Sequence, residues 1–254
     1  MNVVCVIQAR FASSRLPGKV LEPIGERSIL RMVVDRVTRA STVGRTVVAT
    51  STEASDDAVA LAAREAGVVV VRGSQFDVLD RFHDVLRALP DTDVIVRVTA
   101  DCPFVDPDVL DLVVTRLIDD GLDFSANRLP PPHPRTYPVG LDVEVCTAAA
   151  LRTAWEGAKE PHQREHVMPY LYEIPQQFRI GLVDLDTDLS SYRWTVDTPE
   201  DLIAVRKIAE LVGSEPFSWE DVLEVARAHP EIGDVNRAAK QKSVTQHDPR
   251  WEQP

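Results

Sequence analysis

The sequence predicts an α/β fold, a mainly parallel sheet flanked by helices. Short apolar runs alternate with longer amphipathic segments, the order expected when each helix carries the chain back to a parallel strand. Helix-start signals, an acidic residue or a proline in the first turn, fall between the runs. With 254 residues and 44% hydrophobic side chains, the chain can bury a full core as one large domain.

Taken in order, Val3-Val4-Cys5-Val6-Ile7 reads as a buried first strand. Ile29, Leu30, Val33, Val34 and Val37 then share one helical face. Thr46 to Ala49 is the second strand, and Ala58 to Ala66 a helix behind the acidic start Asp56-Asp57. Val68 to Val71 is a third strand, followed by the helical stripe Val78, Leu79, Phe82 and Leu86, and Val94 to Val98 is a fourth. The next helix starts after Asp106-Pro107, aspartate as cap and proline at the first helical position.

After that helix the alternation stops. Residues Asn127 to Gly140 include Pro130, Pro131, Pro132, Pro134 and Pro138, which excludes a central strand or helix and predicts a loop or lid. Leu141 to Val145 is expected as a strand, Ala148 to Ala158 and Gln163 to Tyr172 as helices, and Ile180 to Asp184 and Tyr192 to Val196 as strands. Thr198-Pro199-Glu200-Asp201 opens a helix through Leu211, with a threonine cap and an acidic first turn. Trp219 to Ala228 is the last short helix expected. The domain is expected over residues 1–232, and 233–254 is a polar, weakly periodic tail, disordered or ordered by a partner subunit.

The first 21 residues carry three cations, Arg10, Arg15 and Lys19, and no carboxylate, in a chain of formal net charge -12. They lie in Gln8-Ala9-Arg10-Phe11-Ala12-Ser13-Ser14-Arg15-Leu16-Pro17-Gly18-Lys19, directly after the first strand. A basic, small-residue loop at a strand end can turn backbone N–H groups and cations toward a phosphate chain, or be a solvated basic loop. An overall acidic balance argues against nucleic acid or an anionic membrane as partner, so the loop points to a small anion. No apolar stretch reaches the roughly 18 residues of a spanning helix, and no signal-peptide pattern opens the chain, so the expected compartment is the cytoplasm. Cys5, Cys102 and Cys146 are too far apart for a CxxC site and are expected as reduced, buried thiols.

Asp101 follows the fourth strand and Asp197 follows Arg193-Trp194-Thr195-Val196, so both are expected at the sheet edge that carries the basic loop. Taken singly, each is equally a helix cap or turn former beside its proline; together, opposite a cationic loop, they suit Mg²⁺ held by protein oxygens and substrate phosphates. Other patterns lack their required residues. Gly18-Lys19 lacks the glycine at 13 and Ser or Thr at 20 of a Walker A loop, and Asp184 to Asp188 lacks the glycine and glutamate of an EF-hand. His162-Gln163-Arg164-Glu165-His166 matches an inverted zinc-peptidase pattern without further support. Asp91-Thr92-Asp93 precedes its strand, at the opposite edge from the loop.

These blocks resemble the spore-coat polysaccharide type of cytidylyltransferases, relatives of CMP-Kdo and CMP-sialic acid synthetases. The likeness runs from about residue 2 to 210. It rests on Ile7 to Arg10 with Ser14 to Lys19, Ala49-Thr50-Ser51, Arg72-Gly73-Ser74, Asp77 to Arg81, Arg97 to Pro103, Gly140 to Val145, Arg164 to Val167, and Thr195 to Asp201. Val139 and Met168 depart from the residues common in relatives, on either side of the presumed sugar pocket.

The resemblance implies a GT-A-like nucleotide-binding fold, with a nucleotide-binding half at 1–126, a lid and sugar-binding or dimerisation half at 127–197 and C-terminal helices at 198–232. It implies transfer of CMP from CTP to an acidic or amino sugar, with Mg²⁺ as cofactor and a homodimer as the assembly. By motif position, Arg10, Arg15 and Lys19 would hold the triphosphate with Ser14, and Asp101 and Asp197 the metal. Ala9, Thr50, Ser51, Arg72 and Thr99 would lie near base or ribose, and Asp142, Glu144, Arg164, Glu165 and His166 near the sugar. Guanylyl or uridylyl transfer on the same fold, use of an NDP-sugar, and silent binding of a sugar nucleotide stay open on sequence alone.

Overall fold

A computed structural model of the chain describes residues 1–174 and 176–239. β1 (Val3–Gln8) leads through a loop into the short hairpin β2 (Pro23–Ile24) and β3 (Arg27–Ser28), then α1 (Ile29–Val37). Three strand-helix units follow, β4 (Arg45–Ser51) with α2 (Asp57–Glu65), β5 (Val69–Gly73) with α3 (Val78–Ala88) and β6 (Val94–Thr99) with α4 (Pro107–Asp119), and then the lone strand β7 (Phe124–Ala126). The second half holds β8 (Glu144–Thr147), α5 (Ala148–Gly157), α6 (Pro161–His166), α7 (Pro169–Glu173) and β9 (Ile180–Leu182). The described chain closes with α8 (Pro199–Val212), α9 (Trp219–Ala228) and α10 (Pro230–Val235).

The main sheet runs β5-β4-β1-β6-β8-β7-β9. β5, β4, β1 and β6 are parallel neighbours, β8 alone is antiparallel to both β6 and β7, and β9 pairs parallel with β7. The two-residue period of a strand divides β1 between two cores. Val3, Cys5 and Ile7 join α1, α2, α4 and α8 on one face, while Val4 and Val6 join α3 and α5 on the other. The caps read from sequence are in place. Asp106 accepts the amides of Asp108 (2.9 Å) and Val109 (3.3 Å), and Thr198 and Asp201 form a reciprocal capping box at α8.

Four expectations change in the second half. The helix over Gln163 to Tyr172 is two short helices, α6 and α7, because Pro169 lacks an amide donor and Val167 has turned to φ 71°. The strand expected at 141–145 enters the ladder only at Glu144, since the Asn127 side chain takes the Val143 amide (2.9 Å) and the Leu141 carbonyl (2.7 Å). Tyr192 to Val196 forms no regular strand; its amides divide between Val139 O (2.7 Å from Trp194 N) and Asp101 O (2.8 Å from Val196 N). Residues 233–235 complete α10 and Asn236 is buried, so the segment expected to begin a polar tail packs into the fold. The remainder of that tail, 240–254, lies outside the described residues.

Among the described residues no helix is long and apolar enough to cross a membrane. Cys5, Cys102 and Cys146 are free, buried thiols, and burial pushes each above the usual thiol range.

Candidate active site

The four parallel strands end at one edge, at Gly73, Ser51, Gln8 and Thr99, where an open α/β sheet collects its ligand. The basic loop leaves β1 there. Ala9 N donates to Ala49 O (3.1 Å), and Phe11 N donates to Asp56 Oδ1 (2.6 Å). The other Asp56 oxygen accepts the Ser51 amide (3.0 Å) and hydroxyl, so one buried carboxylate ties the loop to the end of β4. Gly18 (φ 74°) donates to Phe11 O (2.8 Å), and a Cβ there would lie 2.9 Å from the Phe11 ring; glycine lets the loop close on itself. A single 3-10 turn, Lys19–Leu21, then aims Lys19 inward.

Lys19 is 8% exposed and its Nζ donates to Asp101 Oδ2 (2.6 Å) and Asp197 Oδ1 (2.8 Å). Arg15 Nη2 lies 3.0 Å from Asp197 Oδ2. Burial opposes the Asp101 charge, but the Lys19 ammonium, with the Thr99 hydroxyl, holds that carboxyl down at about 2. The same carboxylates outweigh burial at Lys19 and raise its pKa.

The Asp101 and Asp197 segments are laced together by Thr195 Oγ1, which donates to Asp101 O (3.2 Å), and by the Val196 amide. Gly140 (φ 111°) makes the approach possible, since a Cβ there would stand 2.7 Å from Thr195 N and 2.8 Å from Trp194 C. Gly140→Ala is therefore expected to destabilise the protein by about 3 kcal/mol and to displace the Asp197 segment. Denaturant unfolding measures this; wild-type stability in the variant would mean that the two segments yield freely.

Two carboxylates that share one ammonium lie close enough to share one cation, and their hard oxygens suit Mg²⁺. Among the described residues no group of three or more His, Cys, Asp or Glu side chains could hold a metal. A two-carboxylate donor set completed by water and phosphate is the usual arrangement for Mg²⁺ at a nucleotide, so the residues fit the ion.

The other residues named from sequence occupy defined positions. Arg10 Nη2 lies 3.6 Å from Glu165 Oε1, which joins the loop to α6. Arg164 donates twice to Asp77 Oδ2 (2.9 and 2.6 Å) and once to Trp155 O (2.7 Å), locking α6 to the start of α3. Asp142 accepts a two-pronged bond from Arg135 (2.5 and 2.9 Å), and Glu144 pairs with Arg97, its register partner on β6. Arg72 holds the carbonyls of Ser51 (2.8 Å) and Glu53 (3.0 Å) and pairs with Asp57, fastening the turn after β4. Thr50 is buried, Ser14 is exposed in the loop, Thr99 Oγ1 lies 3.3 Å from Cys102 Sγ, and His166 ends α6 half-buried. The structure thus unites Arg15, Lys19, Asp101 and Asp197, and joins Arg10 to Glu165, while Asp142, Glu144 and Arg164 are engaged by Arg135, Arg97 and Asp77.

Several residues of this region were missed from sequence. Arg81 is fully buried, and burial and Arg10 lower its pKa to about 10 against the pull of Asp56 and Asp77. Arg135 sits in the proline-rich loop, where no periodicity announces it. Arg193 and Asp201 did carry a signal: the capping-box spacing Thr198 to Asp201 places an acid one turn beyond Asp197.

A sequence profile described as cytidylyltransferase matches residues 4–227. The chain belongs to the cytidylyltransferase family. Membership assigns it cytidylyl transfer. It is 32% identical to the spore coat polysaccharide biosynthesis protein SpsF of Bacillus subtilis, over 93% of this chain and 99% of SpsF. The structure of a cytidylyltransferase from Leptospira borgpetersenii superposes with a TM-score of 0.85 at 34% identity, covering 91% of this chain and 96% of that one. CMP:2-keto-3-deoxy-manno-octonic acid synthetase complexed with CTP shares the fold, with a TM-score of 0.63 at 21% identity over 82% of this chain and 98% of that one. The nucleotide-sugar transferase type of fold expected from the sequence is the fold found, a mostly parallel seven-stranded sheet between helices.

Proposed function

We propose that this cytidylyltransferase moves CMP from CTP to an acidic or amino sugar, a nonulosonic acid or Kdo-like acceptor, with Mg²⁺ as cofactor and pyrophosphate as product. The observation that carries this is the convergence of Lys19 and Arg15 on Asp101 and Asp197 at the strand ends. The acceptor class is supported by the name of the fold-sharing 2-keto-3-deoxy-manno-octonic acid synthetase.

The anomeric hydroxyl attacks the α-phosphorus in line; the new P–O bond forms as the bond to the bridging oxygen breaks, and pyrophosphate leaves with those electrons. The hydroxyl proton passes to solvent. Lys19 and Arg15 turn from the carboxylates to phosphate oxygens and offset the charge on the leaving pyrophosphate, Arg15 through its planar fork. Asp101 and Asp197 would hold Mg²⁺, which neutralises phosphate charge when bound. Arg10, tied to Glu165, links the triphosphate loop to the α6 wall on which the sugar rests. We place the protein in the cytoplasm, in keeping with its free thiols, and expect two copies to pair through residues 127–197.

The test is pyrophosphate release with Mg²⁺ from each of the four nucleoside triphosphates across a panel of 2-keto sugar acids and amino sugars. Release with CTP and one sugar, abolished in Asp197→Asn with the fold intact, is the expected result. Preference for GTP or UTP, or undiminished turnover in Asp197→Asn, would overturn it.

A further inference from the structure

We propose that Arg193, Asp201 and Asn236 form a bracket that fixes the Asp197 carboxylate for reaction, so that the C-terminal helices position the site from behind. The inference rests on the placement of Asp197 in the nucleotide site above.

Asp197 stands on a segment with no regular strand to hold it, and its side chain is partly exposed. One oxygen, Oδ1, faces Lys19. The other, Oδ2, is shared: it lies 3.0 Å from Arg15 Nη2 on the loop side and accepts from Arg193 Nη2 at 2.9 Å. The same guanidinium grips Asp201 in a fork, Nε to Oδ1 at 2.8 Å and Nη2 to Oδ2 at 3.0 Å. Asp201 is fully buried and its Oδ2 also accepts the amides of Asp197 and Thr198, each at 3.0 Å. One carboxylate therefore fixes the backbone of residue 197 directly and its side chain through Arg193.

Asn236 completes the bracket from beyond α10. Its Nδ2 donates to Asp201 Oδ1 (2.9 Å) and points at Arg193 O (3.3 Å), and the residue is 4% exposed. Capping α8 needs only Thr198 and Asp201; Arg193 and Asn236 are additional, and their three bonds to Asp201 tie them to the group that holds the Asp197 backbone. Burial alone would raise the Asp201 carboxyl, but the Arg193 fork, Asn236 and the Asp197 amide bring it below the usual range. Arg193 stands one bond from the proposed metal ligand and Asn236 two, through Asp201; partners behind a ligand change metal affinity or activity by about 10–100-fold.

The experiment compares Asn236→Ala with the isosteric Asn236→Asp, alongside wild type and Asp197→Asn. Mn²⁺ binding to the CTP complex is read by electron paramagnetic resonance, kcat and KM by pyrophosphate release, and folding by thermal unfolding. The expected result is a loss of about 10-fold in kcat and Mn²⁺ affinity for Asn236→Ala, with sugar KM unchanged. Asn236→Asp is expected to lose more, about 100-fold, at equal side-chain volume, because its carboxylate faces Asp201 and the Arg193 carbonyl with no proton to donate. Wild-type kcat and Mn²⁺ affinity in both variants, with Asp197→Asn inactive, would overturn the bracket and leave the proposed function standing. Activity losses that vanish well below each variant's Tm would also overturn it, since the role would then be structural. Wild-type protein that neither turns over CTP nor binds Mn²⁺ would overturn the reading beneath it.

Discussion

Lys19→Met is expected to lower kcat about a thousandfold in CTP-dependent pyrophosphate release. A unit charge pair at 4 Å is worth about 4 kcal/mol at an effective dielectric near 20, and each 1.36 kcal/mol of barrier is about tenfold in rate. Methionine keeps the length and burial of the stem, so the loop closed by Gly18 and Phe11 stays packed and the loss reports charge. Turnover within about tenfold of wild type would remove Lys19 from the reacting geometry. The variant also has a signature in stability. Arg15 and Arg193 remain beside Asp197, so Asp101 is the carboxylate that loses its counter-charge. Because Lys19 depresses the Asp101 pKa, the pair stabilises the native state fully above the ordinary carboxylate value of 3.8, and the contribution is lost as pH falls through about 2. The stability gap between wild type and Lys19→Met should therefore open between those values on raising pH, which acid titration followed by circular dichroism measures.

Arg36→Met is expected to cost about 3–5 kcal/mol of stability and about 10 °C in Tm, with kcat unchanged at temperatures where the variant is folded. Arg36 is fully buried in α1 and carries bonds to four groups: Val105 O (2.6 Å), Glu215 (2.7 Å), Phe217 O (3.2 Å) and Asp106 (3.3 Å). Its guanidinium also lies over the Phe217 ring, 4.6 Å from the centroid. Burial pulls the Arg36 pKa down against the raising effect of Glu215 and Asp106. Removing the cation strands Asp106, which is buried and already raised by desolvation, while Arg39 still reaches Glu215 at 2.6 Å. That residual pair places the expected cost toward the lower end of the range. A loss below about 1 kcal/mol in denaturant unfolding would show that the cluster repacks around methionine.

The nucleotide-facing half was legible because its signals are local. β1, β4, β5 and β6 are apolar runs bounded by polar turns, and Asp106-Pro107 and Thr198-Pro199 announce their helices by cap chemistry that acts within four residues. The second half was harder to read for the same reason. β7 is three residues long, too short for a period, and β8 is displaced because Asn127, 16 residues before Val143 and 14 before Leu141, replaces ladder bonds with its side chain. The one helix expected over Gln163 to Tyr172 breaks in two, since Pro169 has no amide to donate to the preceding turn.

The sequence by itself determined the alternating α/β plan, the basic loop after the first strand, the two aspartates bound for the same edge, and the motif blocks that mark the family. These depend on neighbours a few residues apart, through strand and helix periods, capping and proline geometry. Only the tertiary structure decided that Lys19 meets Asp101, 82 residues on, and Asp197, 178 residues on, and that Arg135, Arg97 and Asp77 engage Asp142, Glu144 and Arg164. It also decided that Asn236, assigned from sequence to a polar tail, is buried against Asp201. Such pairings are set by the order of strands in the sheet and by where crossovers return the chain, and no local pattern encodes that order because the partners share no turn of helix or ladder until the sheet has formed.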